Sequence, residues 1–165
     1  MLSVLRGGLR LFWLYIDYMK FEESLKLTIK IVRAFNMYKD TFGFLINDNI
    51  QVDIRRRRII KLFLDDEKRS YALNVSVISI KELQMVLLAY LLANGKEHPV
   101  RRDDILKAVW DNRNLKSSSQ ILWATLKDLK IHLSQVGLGE DFITSEKGAY
   151  YRIHAKRLQA LYVGG

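Results

Sequence analysis

Residues 117–153, SSSQILWATLKDLKIHLSQVGLGEDFITSEKGAYYRI, constrain the fold more than any other stretch of the chain. Leu122, Leu126, Leu129, Leu133 and Val136 recur every three or four residues. That is the period of an amphipathic helix whose apolar stripe must face a core. Ser117-x-x-Gln120 predicts a capping box at its start, the serine oxygen accepting from a free helix N–H while the glutamine reaches back. Gly137 and Gly139 predict its stop. The other side carries Trp123, Lys127, Lys130 and Ser134, with Thr125 and Asp128 beside them. Two short strands follow at once, Phe142-Ile143-Thr144-Ser145 and residues 150–154, joined by a tight turn at Glu146-Lys147-Gly148. A helix with a cationic outer face thus leads directly into a basic-tipped hairpin.

Upstream, the pattern first reads as strands. Phe44-Leu45-Ile46 and residues 50–53 flank Asn47-Asp48-Asn49, turn-forming residues between two apolar runs, which predicts a hairpin. Ile59, Ile60, Leu62, Phe63 and Leu64 predict a third strand, residues 65–68 (DDEK) a charged turn, and Tyr71-Ala72-Leu73 a fourth strand. Four consecutive arginines at 55–58 fall in one of the turns. A solvated charged turn is the weightier reading of them, and phosphate contact the functional one. Helices then take over. Ser79-x-x-Glu82 predicts a capping box, Leu83, Val86, Leu87, Tyr90 and Leu91 a buried stripe, and Gly95 a stop. A second helix is expected from Arg101 to about Trp110, with Ile105, Leu106, Val109 and Trp110 on its apolar side. Residues 156–163 suggest a last helical turn or two.

Residues 1–40 read as an appendage. Leu9, Phe12, Trp13, Ile16 and Met19 recur at helical spacing, as do Leu25, Ile29 and Val32. Arg6, Arg10 and Asp17 interrupt residues 2–18, and Gly7-Gly8 breaks them, short of the ~20 mostly apolar residues that a spanning helix needs. A packed or interfacial helix is expected, with Met1, Met19 and Met37 as alternative starts. The chain has 165 residues, enough for one domain with a core plus an extension. It has no cysteine, which excludes disulfides and thiolate metal sites. Its net charge of +9 favours a polyanionic partner, nucleic acid or an anionic membrane surface.

Three pieces carry a family resemblance. Residues 80–94 (IKELQMVLLAYLLAN) look like a first helix, and residues 100–110 (VRRDDILKAVW) like a second, with Trp110 on a signature tryptophan. Residues 147–153 (KGAYYRI) look like a wing motif. Together, residues 44–154, about two thirds of the chain, resemble the OmpR/PhoB-type winged-helix DNA-binding domain, in its ToxR/CadC-like branch of bacterial transcriptional regulators. The resemblance implies an α+β fold, a winged helix-turn-helix with an N-terminal four-stranded antiparallel platform, three helices and a C-terminal β-hairpin wing. Residues 1–40 would be a helical extension, 41–155 the winged-helix domain and 156–165 a tail. The third helix would enter the major groove, and the wing would touch the minor groove and phosphates.

Carried over residue by residue, the groove-facing positions fall on Gln120, Ala124, Thr125, Lys127, Asp128 and Lys130, the wing contact on Lys147, and the threonine ahead of the wing on Ser145. Phosphate candidates are Arg101, Arg102, Lys116, Lys127, Lys130, Lys147 and Arg152. Trp123 is exposed by periodicity and is a candidate for DNA, a partner subunit or a neighbouring helix. Two departures stand out. Tyr150 replaces the family's second wing glycine, so the turn must close differently. Lys127 and Lys130 replace arginines, and lysine lacks the bidentate fork to guanine.

No enzyme is expected. His98, His132 and His154 are scattered without metal-ligand spacing, and no phosphate loop of the G-x-x-x-x-G-K-S/T type exists. No cofactor, metal or small-molecule substrate is implied. The expected function is a sequence-specific, DNA-binding transcriptional regulator in the cytoplasm. Its expected partners are double-stranded DNA, a second copy of the chain and, as a further candidate, RNA polymerase. Two rivals are a winged helix that binds another regulator instead of DNA, and a regulator held on a membrane surface by its first helices.

Overall fold

The computed structural model describes residues 41–64 and 73–162. The helices expected within 1–40, the charged turn at 65–68 and the pair Tyr71-Ala72 lie outside the described residues. Asn47 and Asp48 both take left-handed backbone angles (φ 49° and 65°), the geometry that twists a hairpin turn with its strands. They join β1 (Thr41–Ile46) to β2 (Ile50–Asp53), as the sequence predicts. The arginine run forms the next turn. There the buried Asp53 carboxylate accepts from the Arg56 backbone N–H at 2.9 Å and from its guanidinium at 3.2 Å. A carboxylate buried this deeply needs such partners, so part of the run serves the fold. β3 (Arg58–Leu64) and β4 (Leu73–Ser79) complete the antiparallel platform in unbroken register.

The fourth strand runs further than its sequence suggests, and Ser79 ends it instead of capping a helix. The first helix, α1 (Glu82–Asn94), starts three residues later, with Lys81 at its N-cap. The Gln84 side chain accepts from the Lys81 backbone N–H at 3.0 Å, reaching back as a capping-box glutamine does. α1 packs against β1, both other helices and a wing strand, so it is covered on several sides. Met85, Leu88, Ala89 and Leu92 are therefore buried as well as Leu87 and Leu91, while Leu83, Val86 and Tyr90 are only half-buried. A single-stripe reading fits a surface helix, and this one is central.

After the short strand β5 (Val100–Arg101) comes α2 (Arg102–Val109), which buries Ile105 and Val109; Trp110, just beyond, is buried in the core as expected. A 3-10 turn (Asp111–Arg113) leads to α3 (Ser119–Gln135). Its stripe is the predicted one, Leu122, Leu126, Leu129 and Leu133 being buried together with Val136. Its cap lies one residue later than predicted: the Ser118 hydroxyl accepts from the Ile121 N–H at 3.1 Å. The C-terminus closes at Gly137 (φ 82°), with Gly137 N–H bonded to Ser134 C=O and Leu138 N–H to Leu133 C=O, a Schellman pair.

The last part of the chain holds the largest departure. Residues 158–162 form a strand, β8 (Leu158–Tyr162), where one or two helical turns were expected. It pairs antiparallel with β1, giving a five-stranded sheet in the order β4-β3-β2-β1-β8. Arg157 steers it there. Its carbonyl accepts from Asn47 N–H at 3.0 Å, its N–H donates to the Asn47 side chain, and its guanidinium meets Asp48 at 3.1 Å. The platform thus has one strand more than expected, within the same α+β winged-helix fold.

Candidate nucleic-acid interface

The wing is a three-stranded sheet in the order β5-β7-β6, made of β6 (Ile143–Glu146), β7 (Tyr150–Ile153) and the two-residue β5. β5 was missed in the sequence because two residues carry no alternation. It nonetheless welds the wing to the helix-turn-helix. Val100 and Arg101 pair with Tyr151 and Tyr150, and Arg102 N–H donates to Ala149 C=O at 2.8 Å. At the far end of β7, Ile153 N–H donates to Gly95 C=O at 2.8 Å, fixing the wing to the end of α1. Gly95 allows this approach: a Cβ there would come within 2.8 Å of Leu91 C=O and 3.2 Å of the Ile153 side chain. The hairpin turn closes with Lys147 (φ 51°) and Gly148 (φ 65°) both left-handed and Ala149 N–H bonded to Glu146 C=O. Tyr150 lies beyond it, paired with Glu146 in the ladder, so the lost glycine is absorbed by a regular strand.

With the leucines locked inward, the rest of α3 is set by geometry. A helix turns 100° per residue, so Gln120, Ile121, Ala124, Asp128, Ile131 and Gln135 point away from the core, and all are exposed. Trp123, Lys127, Lys130 and Ser134 turn toward the hairpin. With Ile131, Ser145 and Tyr151 they line a shallow groove of about 470 Å³ between α3 and the wing. Trp123 is 64% exposed, as its position in the sequence predicts, and the Lys127 ammonium lies 5.4 Å from its ring centroid. That contact holds both side chains in one place on the helix flank.

The candidate residues separate by what they already bind. Lys116, Lys127 and Lys147 are exposed, before α3, on its flank and at the hairpin tip. The Lys130 ammonium donates to Glu140 C=O at 3.1 Å, across to the 3-10 turn Glu140–Phe142. Arg152 pairs with Glu146 within the hairpin at 3.0 Å. Arg101 and Arg102 both approach Asp103, at 4.0 Å and 3.5 Å. The Thr125 hydroxyl donates to Ile121 C=O at 2.8 Å and is engaged inside its own helix. Gln120, Ala124 and Asp128 lie together on the outward line, and Ser145 lies in the groove. The sequence reading passed over Ile121 (37% exposed) and Ile131 (52% exposed). The signal was present, since both fall outside the leucine period.

The arrangement offers two chemistries, cations disposed around a helix and a hairpin tip, and a broad exposed helix face of amides, apolar side chains and the Asp128 carboxylate. Two of the three histidines serve local bonds: His132 Nδ1 meets Asp128 C=O at 2.9 Å, and His154 Nε2 meets the Thr144 hydroxyl at 2.8 Å. Tyr151 has its phenol pushed up by burial, partly offset by the Arg102 guanidinium. No helix among the described residues is long and apolar enough to cross a membrane.

No protein-family model matches the chain, and no curated protein does. Among solved structures, the chain is similar to the DNA-binding domain of E. coli CadC. The TM-score is 0.52, over 74% of this chain and 99% of that one, at 11% identity. At that identity the likeness concerns the fold alone, a winged helix.

Proposed function

We infer that this chain is a transcriptional regulator that binds duplex DNA, with α3 in the major groove and the β6–β7 hairpin against the flanking minor groove and phosphates. One observation carries the reading: Lys116, Lys127 and Lys147 stand exposed around a helix and a hairpin that are both pinned to the core. Phosphate recognition needs cations on rigid elements at separated points along a duplex. The net charge of +9 adds long-range attraction. One such helix reads a short site, so two copies on adjacent half-sites are expected, and RNA polymerase is a candidate contact for a promoter-bound regulator.

The test is fluorescence anisotropy on labelled duplex at two salt concentrations. Binding should weaken steeply with salt. Lys127→Ala and Lys147→Ala should each reduce the log–log slope by roughly one, the value for one phosphate contact. Unchanged slopes in both variants would remove α3 and the wing from the interface.

A second reading rests on the outward exposure of Ile121, Trp123 and Ile131, which also suits a protein surface. It predicts no salt-dependent DNA binding, together with co-elution of the chain with a regulator or with RNA polymerase.

A further inference from the structure

We propose that two copies of this chain join edge to edge through β4, antiparallel about a two-fold axis at Ser76, so that their platform sheets become one. Such a dimer forms without DNA, so its failure and that of the DNA-binding reading are distinguishable.

β4 is an outer strand of the five-stranded sheet, and among the described residues no strand lies beyond it. One row of its backbone N–H and C=O groups therefore has no ladder partner. Edge strands are ordinarily blunted by brevity, charge, proline or a bulge. β4 has seven residues, LNVSVIS, with no charge and no proline, and its ladder with β3 runs in unbroken register. The opposite edge strand, β8, is shorter, and its ladder with β1 shifts register between Thr41 and Gly43. β4 also presents Val75 and Val77, 53% and 52% exposed, on the sheet face opposite the buried Ile59.

A second β4 fits this edge. A two-fold axis perpendicular to the sheet pairs residues that face the same way, and at Ser76 it matches the whole strand, 73 with 79, 74 with 78 and 75 with 77. Val75-Ser76-Val77 reads alike in both directions, so the centre is self-complementary. Within one copy, Leu62 pairs with Val75 and Ile60 with Val77. Joining two copies lays Leu62 and Val75 of one in line with Val77 and Ile60 of the other. The axis generates a second such row, and both rows are apolar throughout. Cross-strand pairs of this kind are what stabilise a sheet.

Charge also favours β4 as the meeting edge. The chain carries +9, yet here two copies meet without setting like charges opposite each other. Lys61, which pairs with Ser76, lies three strand spacings from its counterpart across the axis, roughly 14 Å and beyond the screening length at physiological salt. A seven-residue strand spans only about 23 Å, so the contact is narrow and the dimer reversible.

The test is sedimentation equilibrium of the full chain, without DNA, across the micromolar range at physiological salt. The parent should pass from monomer to dimer. Val75→Lys/Val77→Lys, at two exposed positions, should still melt cooperatively but weaken the dimer about tenfold or more, since lysines then face lysines across the axis. Mixed with Val75→Glu/Val77→Glu, it should form a heterodimer. The chain has no cysteine, so single thiols report the register. Ser76→Cys meets its own counterpart about 5 Å away between Cα atoms and should link on oxidation. Val75→Cys is offset from its counterpart by two residues, about 8 Å away, and should not. A parent that stays monomeric, a dimer that the lysine variant leaves intact, a charge-swapped mixture that stays monomeric, or Val75→Cys linking as readily as Ser76→Cys would each overturn the proposal and leave DNA binding standing.

Discussion

Under the proposed function, Lys147 would serve two ends at once. It sits at the hairpin tip with φ at 51°, a conformation that costs an ordinary side chain roughly 1 kcal/mol and that asparagine adopts more readily. Lys147→Asn should therefore raise the urea midpoint, by about 0.5 kcal/mol of stability, while weakening DNA binding and flattening its salt slope. A lysine kept there for charge at the expense of backbone comfort would give that opposed pair of results. Gly43 illustrates a constraint that no local pattern reveals. It faces Asp53 across the β1–β2 ladder, and a Cβ on it would collide with the Val52 carbonyl oxygen. Gly43→Ala should destabilise the fold by about 3 kcal/mol, measured by chemical denaturation. The sequence shows only a glycine between two phenylalanines, because the clash depends on strand register.

At the scale of elements, legibility followed locality. α3 could be read because its period, its serine cap and its glycine stop all lie within one stretch, and the cap was displaced by a single residue. The wing hairpin could be read for the same reason. β5 and β8 could not. β5 has only two residues, and each is made a strand by a partner far along the chain, β5 by β7 and β8 by β1. α1 was recognised as a helix, but its burial was not, since what covers it comes from the platform, the other helices and the wing. On the candidate interface, the cations were legible as residue types, but their local partners were not. That Lys130 meets Glu140, and Arg152 meets Glu146, depends on how chain segments come together. β8 also yields a test. A chain ending at Ala155 loses the strand that pairs with β1 and the bonds from Asn47 to Arg157. It should melt at a lower temperature and expose β1 as a sheet edge, with aggregation rising on heating. An unchanged melt would show that β8 contributes little to the platform.

The molecule as a whole responds to alkali in a way that one side chain predicts. Burial, with Asp104 adding to it, pushes the Tyr90 phenol up to about 12 from its ordinary 10.0. The folded protein then keeps Tyr90 neutral at pH values where the unfolded chain releases that proton. The stability from the neutral phenol is fully present below pH 10 and is lost as pH rises from there toward 12. Tyr90→Phe should remove this component, so the stability gap between parent and variant should change across that window and stay constant below it. Thr41 and Tyr162 face each other in the β1–β8 ladder, so the two ends of the described body lie at one point. A short bridge across that point, with the chain reopened at the Asn47-Asp48 turn, should yield a circular permutant that still folds. By the same geometry, the body can be spliced as a plug-in cassette into an exposed loop of a carrier protein, needing only a single narrow point of attachment.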